Sequence, residues 1–246
     1  MLHFVRVILF MVKSRFKLVC LLGLLWGAPF CAAQVVEPNE RAHEFYREDQ
    51  FYLALSYDLL AEVPEAVATR GIIGGIQFGF IRDWPLTSKG NWALGTGVGL
   101  GYDRYGQNII VQSSQEAEPT WTIEQSPSAI EANSLQLTTL EFPLEIRWRT
   151  STPEIYKFWR LYTGIKWSQG LFAQTVFKGP DRSETLKNLP QLRKGIWYAT
   201  ASFGYGTFNV QVQWGLTPLL LDVQDDATGQ PIGLRPIKLG IMFYIL

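Results

Sequence analysis

The chain has 246 residues, 47% of them hydrophobic and only 18% charged, with 9 Trp, 10 Tyr and 15 Phe. So apolar a composition excludes a disordered chain, and a formal charge of zero with no basic stripe argues against nucleic-acid binding. The balance hides an asymmetry: residues 1–33 hold Arg6, Lys13, Arg15 and Lys17 and no acid, leaving 18 of the 22 basic residues to face 22 acidic ones.

The first element is a targeting segment. Lys13, Arg15 and Lys17 precede the apolar run Leu18 to Trp26, then Gly27, Ala28 and Pro29, then Cys31-Ala32-Ala33 before Gln34. Basic region, apolar core, helix breaker and small residues are the order of a secretory signal peptide, predicted to be cleaved between Ala33 and Gln34. The core is shorter than the roughly 20 residues a transmembrane helix needs. Val19 and Phe30, before Cys20 and Cys31, are too bulky for a lipoprotein signal, and Met11 offers a second start to the same signal. Both cysteines fall in the removed segment, so the exported chain has no thiol for a disulfide, a Cys-based zinc site or a cysteine nucleophile. The predicted organisation is a signal peptide at 1–33, a polar periplasmic lead-in at 34–50 and a barrel domain at 51–246.

Eight segments then alternate apolar and polar residues with period two, the period of a strand. In chain order their apolar rows are Phe51 to Leu59, Ile72 to Phe80, Trp92 to Tyr102, Leu140 to Trp148, Trp159 to Leu171, Trp197 to Tyr205, Phe208 to Leu216 and Ile237 to Ile245. No long amphipathic helix is apparent. The connections after the second, fourth and sixth strands are short: Asp83 to Asn91, Thr150 to Lys157, and Gly206-Thr207. Those after the third, fifth and seventh are long and polar: Tyr105 to Asn133, Ala173 to Arg193, and Thr217 to Leu234. The first, Leu60 to Arg70, is intermediate.

Side-chain size decides which face is inside. A closed eight-stranded barrel has an interior just wide enough for side chains to fill, so its inward row must include small residues. The polar row supplies Gly95, Gly97, Gly99 and Gly101, whereas the apolar row carries Trp92, Trp148, Trp159, Trp167, Trp197 and Trp214. The polar row also carries charges of both signs, Glu141, Glu145, Arg147, Arg149, Arg160, Lys166 and Lys238, which can pair in a lumen. Facing lipid near the midplane, each basic one would cost about 2–4 kcal/mol. The expectation is therefore an all-β, antiparallel, up-and-down transmembrane barrel of about eight strands, its apolar face toward lipid and its lumen filled by a structural charge network. Short turns at one end and long loops at the other are the pattern of bacterial outer-membrane barrels, with both termini periplasmic. Aromatics at the short-turn end of each strand, among them Trp84, Trp92, Trp148, Trp159 and Phe208, suit an interfacial girdle.

Two segments carry resemblances. The C-terminal Lys238-Leu239-Gly240-Ile241-Met242-Phe243-Tyr244-Ile245 resembles the signal read by the outer-membrane barrel-assembly machinery, with Lys238, Gly240, Phe243 and Ile245 at its marked positions and Leu246 as an extra residue. The run Leu140-Glu141-Phe142-Pro143-Leu144-Glu145-Ile146-Arg147-Trp148-Arg149, followed by Phe158-Trp159-Arg160-Leu161-Tyr162-Thr163-Gly164, resembles the PorT-like family of small outer-membrane barrels. That likeness runs loosely from about residue 50 to the C-terminus. It implies an outer-membrane barrel, and the family's founding members are linked to type IX secretion and gliding motility. It brings no catalytic motif.

Chemistry is scarce. The only histidine outside the signal segment is His43, in the lead-in, so the usual histidine of an outer-membrane lipase, protease or deacylase is missing from the strand ends. Asp222, Asp225 and Asp226 in the last long loop suggest either a divalent-cation site or a solvated acidic turn, and their irregular spacing favours the turn. The resulting expectation is a non-enzymatic, monomeric barrel with no cofactor and no metal. Its expected partners are outer-membrane lipid and lipopolysaccharide, the barrel-assembly machinery and components of a secretion system. The competing readings are a generic ligand- or surface-binding barrel, a lipid-modifying enzyme, and a soluble barrel with an apolar ligand.

Overall fold

The computed structural model describes residues 49–112, 119–150 and 158–245. The signal segment, the cleavage pair Ala33 and Gln34, His43 and Leu246 lie outside the described residues. The described residues form eleven strands: β1 (Gln50–Ala61), β2 (Gly74–Pro85), β3 (Trp92–Gly106), β4 (Ile109–Gln112), β5 (Thr120–Ile123), β6 (Ala132–Arg149), β7 (Trp159–Lys178), β8 (Ser183–Lys187), β9 (Gly195–Tyr205), β10 (Phe208–Gly215) and β11 (Arg235–Ile245).

Eight of them, taken in the order β6-β3-β2-β1-β11-β10-β9-β7, pair with their neighbours, and β6 pairs with β7 to close the ring. All these pairs are antiparallel. Closure leaves no open edge, which is what a sheet in hydrocarbon requires because no water is available to satisfy an unpaired backbone. The chain is thus a closed eight-stranded antiparallel barrel.

The alternation sets the two faces. On β1, Phe51, Leu55 and Tyr57 are 61%, 44% and 53% exposed, while Tyr52, Ala54 and Asp58 between them are at most 4% exposed. The six tryptophans of the apolar row all point outward. Rings pack along that face, with Phe208 edge-on to Phe243 at 5.6 Å and Trp159 stacked on Phe203 at 5.1 Å. Exposed apolar side chains on each of the eight ring strands are unfavourable in water and favourable against lipid.

Inside, glycines and tyrosines interlock. A Cβ on Gly99 would run into the Tyr52 hydroxyl, and one on Gly95 would come within 2.7 Å of Cδ of Arg147. The glycine row exists because large inward side chains from neighbouring strands lie across it. Gly206, at φ 59°, makes the tight turn between β9 and β10.

An outward charge tests the assignment of faces. Val212 is central on β10, outward, and flanked by Ala201 and Leu239. Val212→Arg is expected to lower folding stability in bilayers by about 2–4 kcal/mol, read by denaturant unfolding in vesicles. A change near zero would show that this face does not meet lipid.

The long connections are more ordered than the sequence suggests. The segment expected to be a loop from Tyr105 to Asn133 contains the β4–β5 hairpin, and β6 begins at Ala132 instead of near Thr139. The segment expected to be a loop from Ala173 contains the end of β7, to Lys178, and the whole of β8. The long loops all leave one end of the barrel and pack on a shared apolar core. Tyr105, Ile109, Val111, Trp121, Ile123, Leu135, Leu189, Leu219, Val223 and Leu234 are all buried in it. Asn108 fastens the first loop to the hairpin: its Oδ1 accepts from the Ala68 N–H at 2.7 Å, and its Nδ2 donates to the carbonyls of Ala66 at 2.9 Å and Glu124 at 2.8 Å. A water-soluble style of core therefore caps a barrel turned inside out.

Candidate functional site

The lumen collects charged and polar side chains into two tiers. At the short-turn end, Asp83 on β2 lies between two arginines of β6. Its Oδ1 accepts from Nη1 of Arg147 at 2.5 Å, and its Oδ2 takes Nη1 of Arg149. Nε of Arg147 also donates to Glu145 Oε2 at 3.1 Å, and its guanidinium lies 4.2 Å from the Tyr162 ring centroid. Nε of Arg149 donates to the Gly90 carbonyl at 3.0 Å. Arg160, 3% exposed, lies over the Phe158 ring at 4.5 Å and the Tyr244 ring at 5.4 Å.

Toward the loop end, Lys166 on β7 donates to Glu141 Oε1 at 2.8 Å and to Gln213 Oε1 at 2.6 Å. Gln213 in turn donates to Gln77 at 3.0 Å and Gln211 at 3.1 Å. Lys238 donates to Asp103 Oδ2 at 2.6 Å, and Ser56 donates to Asp58 at 2.6 Å. Both lysines sit just over 5 Å from the Tyr198 ring. Buried charges are tolerable only when paired and hydrogen-bonded in this way.

Glu141, Glu145, Arg147, Arg149, Arg160 and Lys166, selected from the sequence as a lumen cluster, are thus brought together inside the barrel and buried. Asp83, Asp103 and Lys238 complete the network. The sequence reads Asp83 as the start of a turn because Ile81 (inward) and Arg82 (outward) invert the polarity of the rows, yet counting in twos from Gln77 and Gly79 reaches it. Asp103 stands at the end of the polar row of the third predicted strand and pairs with Lys238. Lys238 is both a position of the assembly signal and, as its place in the polar row implies, a lumen charge. The other positions of that signal lie on β11, with Gly240 opposite Ser56, and Phe243 and Ile245 directed outward.

The interior is full. The pocket between the tiers, bordered by Tyr52, Glu141, Glu145 and Lys166, has a volume of about 20 Å³. That is room for about one water molecule. No ion or solute path follows from it.

In the acidic loop Asp222 and Asp226 are exposed, as a solvated turn requires, and Asp225 is buried. Asp225 is 2% exposed, and its carboxylate accepts from the Ile123 N–H at 3.0 Å and from the Thr228 N–H and Oγ1–H at 3.0 and 2.5 Å. Oδ2 of Asp226 accepts from the Trp121 N–H at 2.6 Å. The pair clasps the last loop to β5. Among the described residues no group of three His, Cys, Asp or Glu side chains is placed to hold a metal ion.

The hydroxyl of Thr228, then the backbone N–H of Ile123, hold the Asp225 carboxyl below its usual pKa. A depressed carboxylate stabilises the folded state above the unfolded-chain value, about 3.9, and that contribution is lost as pH falls through the lower folded value. The clasp is therefore expected to hold at pH 5 and to open only below about pH 4. Amide-exchange protection of Ile123 and Thr228 reads this, and loss of protection near pH 6 would contradict it.

Two solved barrels cover much of the chain. The attachment invasion locus protein Ail of Yersinia pestis aligns at 10% identity and a TM-score of 0.35, over 82% of this chain and 100% of that one. The N-terminal β-barrel domain of Pseudomonas aeruginosa OprF aligns at 10% identity and a TM-score of 0.29, over 81% and 100%. Likeness at this level bears on neither ligand nor role. No curated protein sequence matches the chain. The family model for the outer membrane protein beta-barrel domain matches residues 33–221, and with the closed eight-stranded ring this chain belongs to that family as a barrel of the bacterial outer membrane.

Proposed function

We propose that the protein is a non-conducting, non-enzymatic accessory of the outer membrane that works through surfaces, chiefly its folded loop cap and its short-turn rim. The observation that carries this reading is the combination of a lumen packed with side chains, its central pocket only about 20 Å³, and outer connections packed on one apolar core. A barrel built to pass solutes would keep a wet channel, and a barrel used only as an anchor would have no need of a loop core. Both termini are assigned to the periplasm and the cap to the cell exterior, since short turns lie on the terminal side. The chain is read as a monomer, with the barrel-assembly machinery and outer-membrane lipid as its general partners.

The resemblance of residues 140–149 and 158–164 to PorT-like barrels makes type IX secretion, or envelope assembly, the first process to examine. Planar-bilayer recording of the purified protein is expected to show no stepwise conductance, and open-channel steps would overturn the surface-acting reading. Deleting the gene is expected to reduce release of type IX cargo. Unchanged release would remove the secretion role and leave a barrel that binds ligands or surfaces through its cap.

A further inference from the structure

The wall of the barrel is interrupted between β7 and β9. β7 pairs with β9 from Trp159 to Gln169 and then, after a gap, with β8 from Gln174 onward. On its other edge the register with β6 shifts between Thr138 and Thr139, at the same level. Between Gly170, whose N–H donates to the Lys194 carbonyl at 2.6 Å, and Ala173, whose carbonyl accepts from the Asn188 N–H at 3.0 Å, the segment 189–193 swings away from β7. Leu189 and Leu192 enter the loop core.

This detour leaves a cavity of about 480 Å³ in the side of the barrel. Its wall is mainly apolar, with Leu137, Leu189, Leu192 and Ile196 behind and Leu171 and Phe172 at the mouth, and with Gln169 and Asn188 as polar lining. Phe172 is 71% exposed and Leu171 44%. Arg193 and the exposed Lys194 also line it, and Lys187 borders an adjoining depression of about 290 Å³ that shares Phe172, Ala173 and Asn188. The lining includes the buried hydroxyl of Thr139, which has no hydrogen-bond partner among the described residues.

The level of the mouth points to an occupant. Trp167 and Trp197 face each other across β7 and β9, two residues before the ladder ends. Two residues of strand are about 7 Å. Tryptophans pack at the boundary between hydrocarbon and head groups, so the cavity opens sideways at head-group height. We propose that it binds one aliphatic chain carrying an anionic head group, with the chain against Leu137, Leu189, Leu192 and Ile196 and the anion at Arg193 and Lys194. A cavity of this size is within the range of small-molecule sites, and a mouth ringed by apolar side chains and cations selects against neutral, wholly polar solutes.

The test uses the full mature chain folded in neutral detergent, with native mass spectrometry as the readout. Dimyristoyl phosphatidylglycerol, dimyristoyl phosphatidylcholine and free myristate are offered separately. One phosphatidylglycerol per barrel is expected, held more tightly than the zwitterionic lipid with the same chains. Lys194→Gln should weaken it by about fivefold, the effect of one cation near a lipid surface. Ala173→Phe, which fills the cavity, should abolish it while the boiled-versus-unboiled gel shift still reports a folded barrel. Myristate binding equal to phosphatidylglycerol would support the site and assign it to a free fatty acid, and phosphatidylglycerol alone would assign it to a membrane lipid. Equal binding of the two phospholipids, or full occupancy in Ala173→Phe, would overturn the proposal. Conductance and secretion results have no bearing on this outcome, so the site and the proposed role fail separately.

Discussion

Asp83→Leu is expected to destabilise the barrel by about 3–5 kcal/mol, the usual effect of removing one partner from a buried ion pair. Asp83 is wholly buried, and its two oxygens are divided between Arg147 and Arg149, which are also wholly buried. Without it, two guanidinium groups lose the carboxylate they share, in a lumen with room for about one water molecule. Arg147 keeps Glu145 and the Tyr162 ring, and Arg149 keeps the Gly90 carbonyl, so local contacts survive while the charge balance does not. The control is a triple change, Asp83→Leu with Arg147→Met and Arg149→Met, which removes the charges together. It should recover much of the loss, because buried charge clusters replaced whole by apolar side chains are often neutral or better. Urea unfolding of the folded protein in micelles, followed by gel mobility, measures both variants. A loss of under about 1 kcal/mol in Asp83→Leu would match an exposed pair and contradict the buried network.

Trp121→Ala is expected to cost about 3–5 kcal/mol, but in the cap and not in the barrel. Trp121 is 4% exposed on β5 and belongs to the same core as Ile109, Val111, Ile123 and Val223. Its backbone also exchanges hydrogen bonds with Asp226, so the side chain anchors the element that the last loop is clasped to. The eight-stranded ladder does not pass through it. Limited proteolysis should therefore cut within residues 107–131 and 216–234 of the variant, while the barrel keeps its unboiled mobility. Simultaneous loss of cap and barrel would show that the loops are part of the barrel's own stability.

The spanning half of each strand is legible from the sequence because lipid imposes a strict rule on it. Outward residues must be apolar, inward ones must be small or paired, and a single register satisfies both. Phe142, Leu144 and Ile146 against Glu141, Glu145 and Arg147 state that rule in one strand. Beyond the membrane the rule inverts, and this is why the outer extensions are hard to read. On β6 the apolar residues change rows: Leu140 and Phe142 face out, but Leu135 and Leu137 face in, toward the cap core. A search for one continuous apolar row stops at the change and begins the strand only near Thr139. The same inversion at the other end, Ile81 inward and Arg82 outward, hid Asp83. The charged members from β6 and β7 were legible by parity alone, whereas the pairing of Lys238 with Asp103 depends on side chains meeting across the lumen, which no single strand records. The clasp formed by Asp225 and Asp226 was invisible for the same reason, since its partners lie about a hundred residues earlier.

The claim on which the rest depends is that the apolar row faces lipid and the polar row faces a closed lumen. Single spin labels placed in turn at residues 209 to 214 of β10, in protein folded into vesicles, test it directly. Val210, Val212 and Trp214 should be open to molecular oxygen and shielded from a water-soluble nickel reagent, while Asn209, Gln211 and Gln213 should be shielded from both. That period-two pattern is what a filled, inside-out barrel predicts, and oxygen accessibility at 209, 211 and 213 with shielding at 210, 212 and 214 would contradict it.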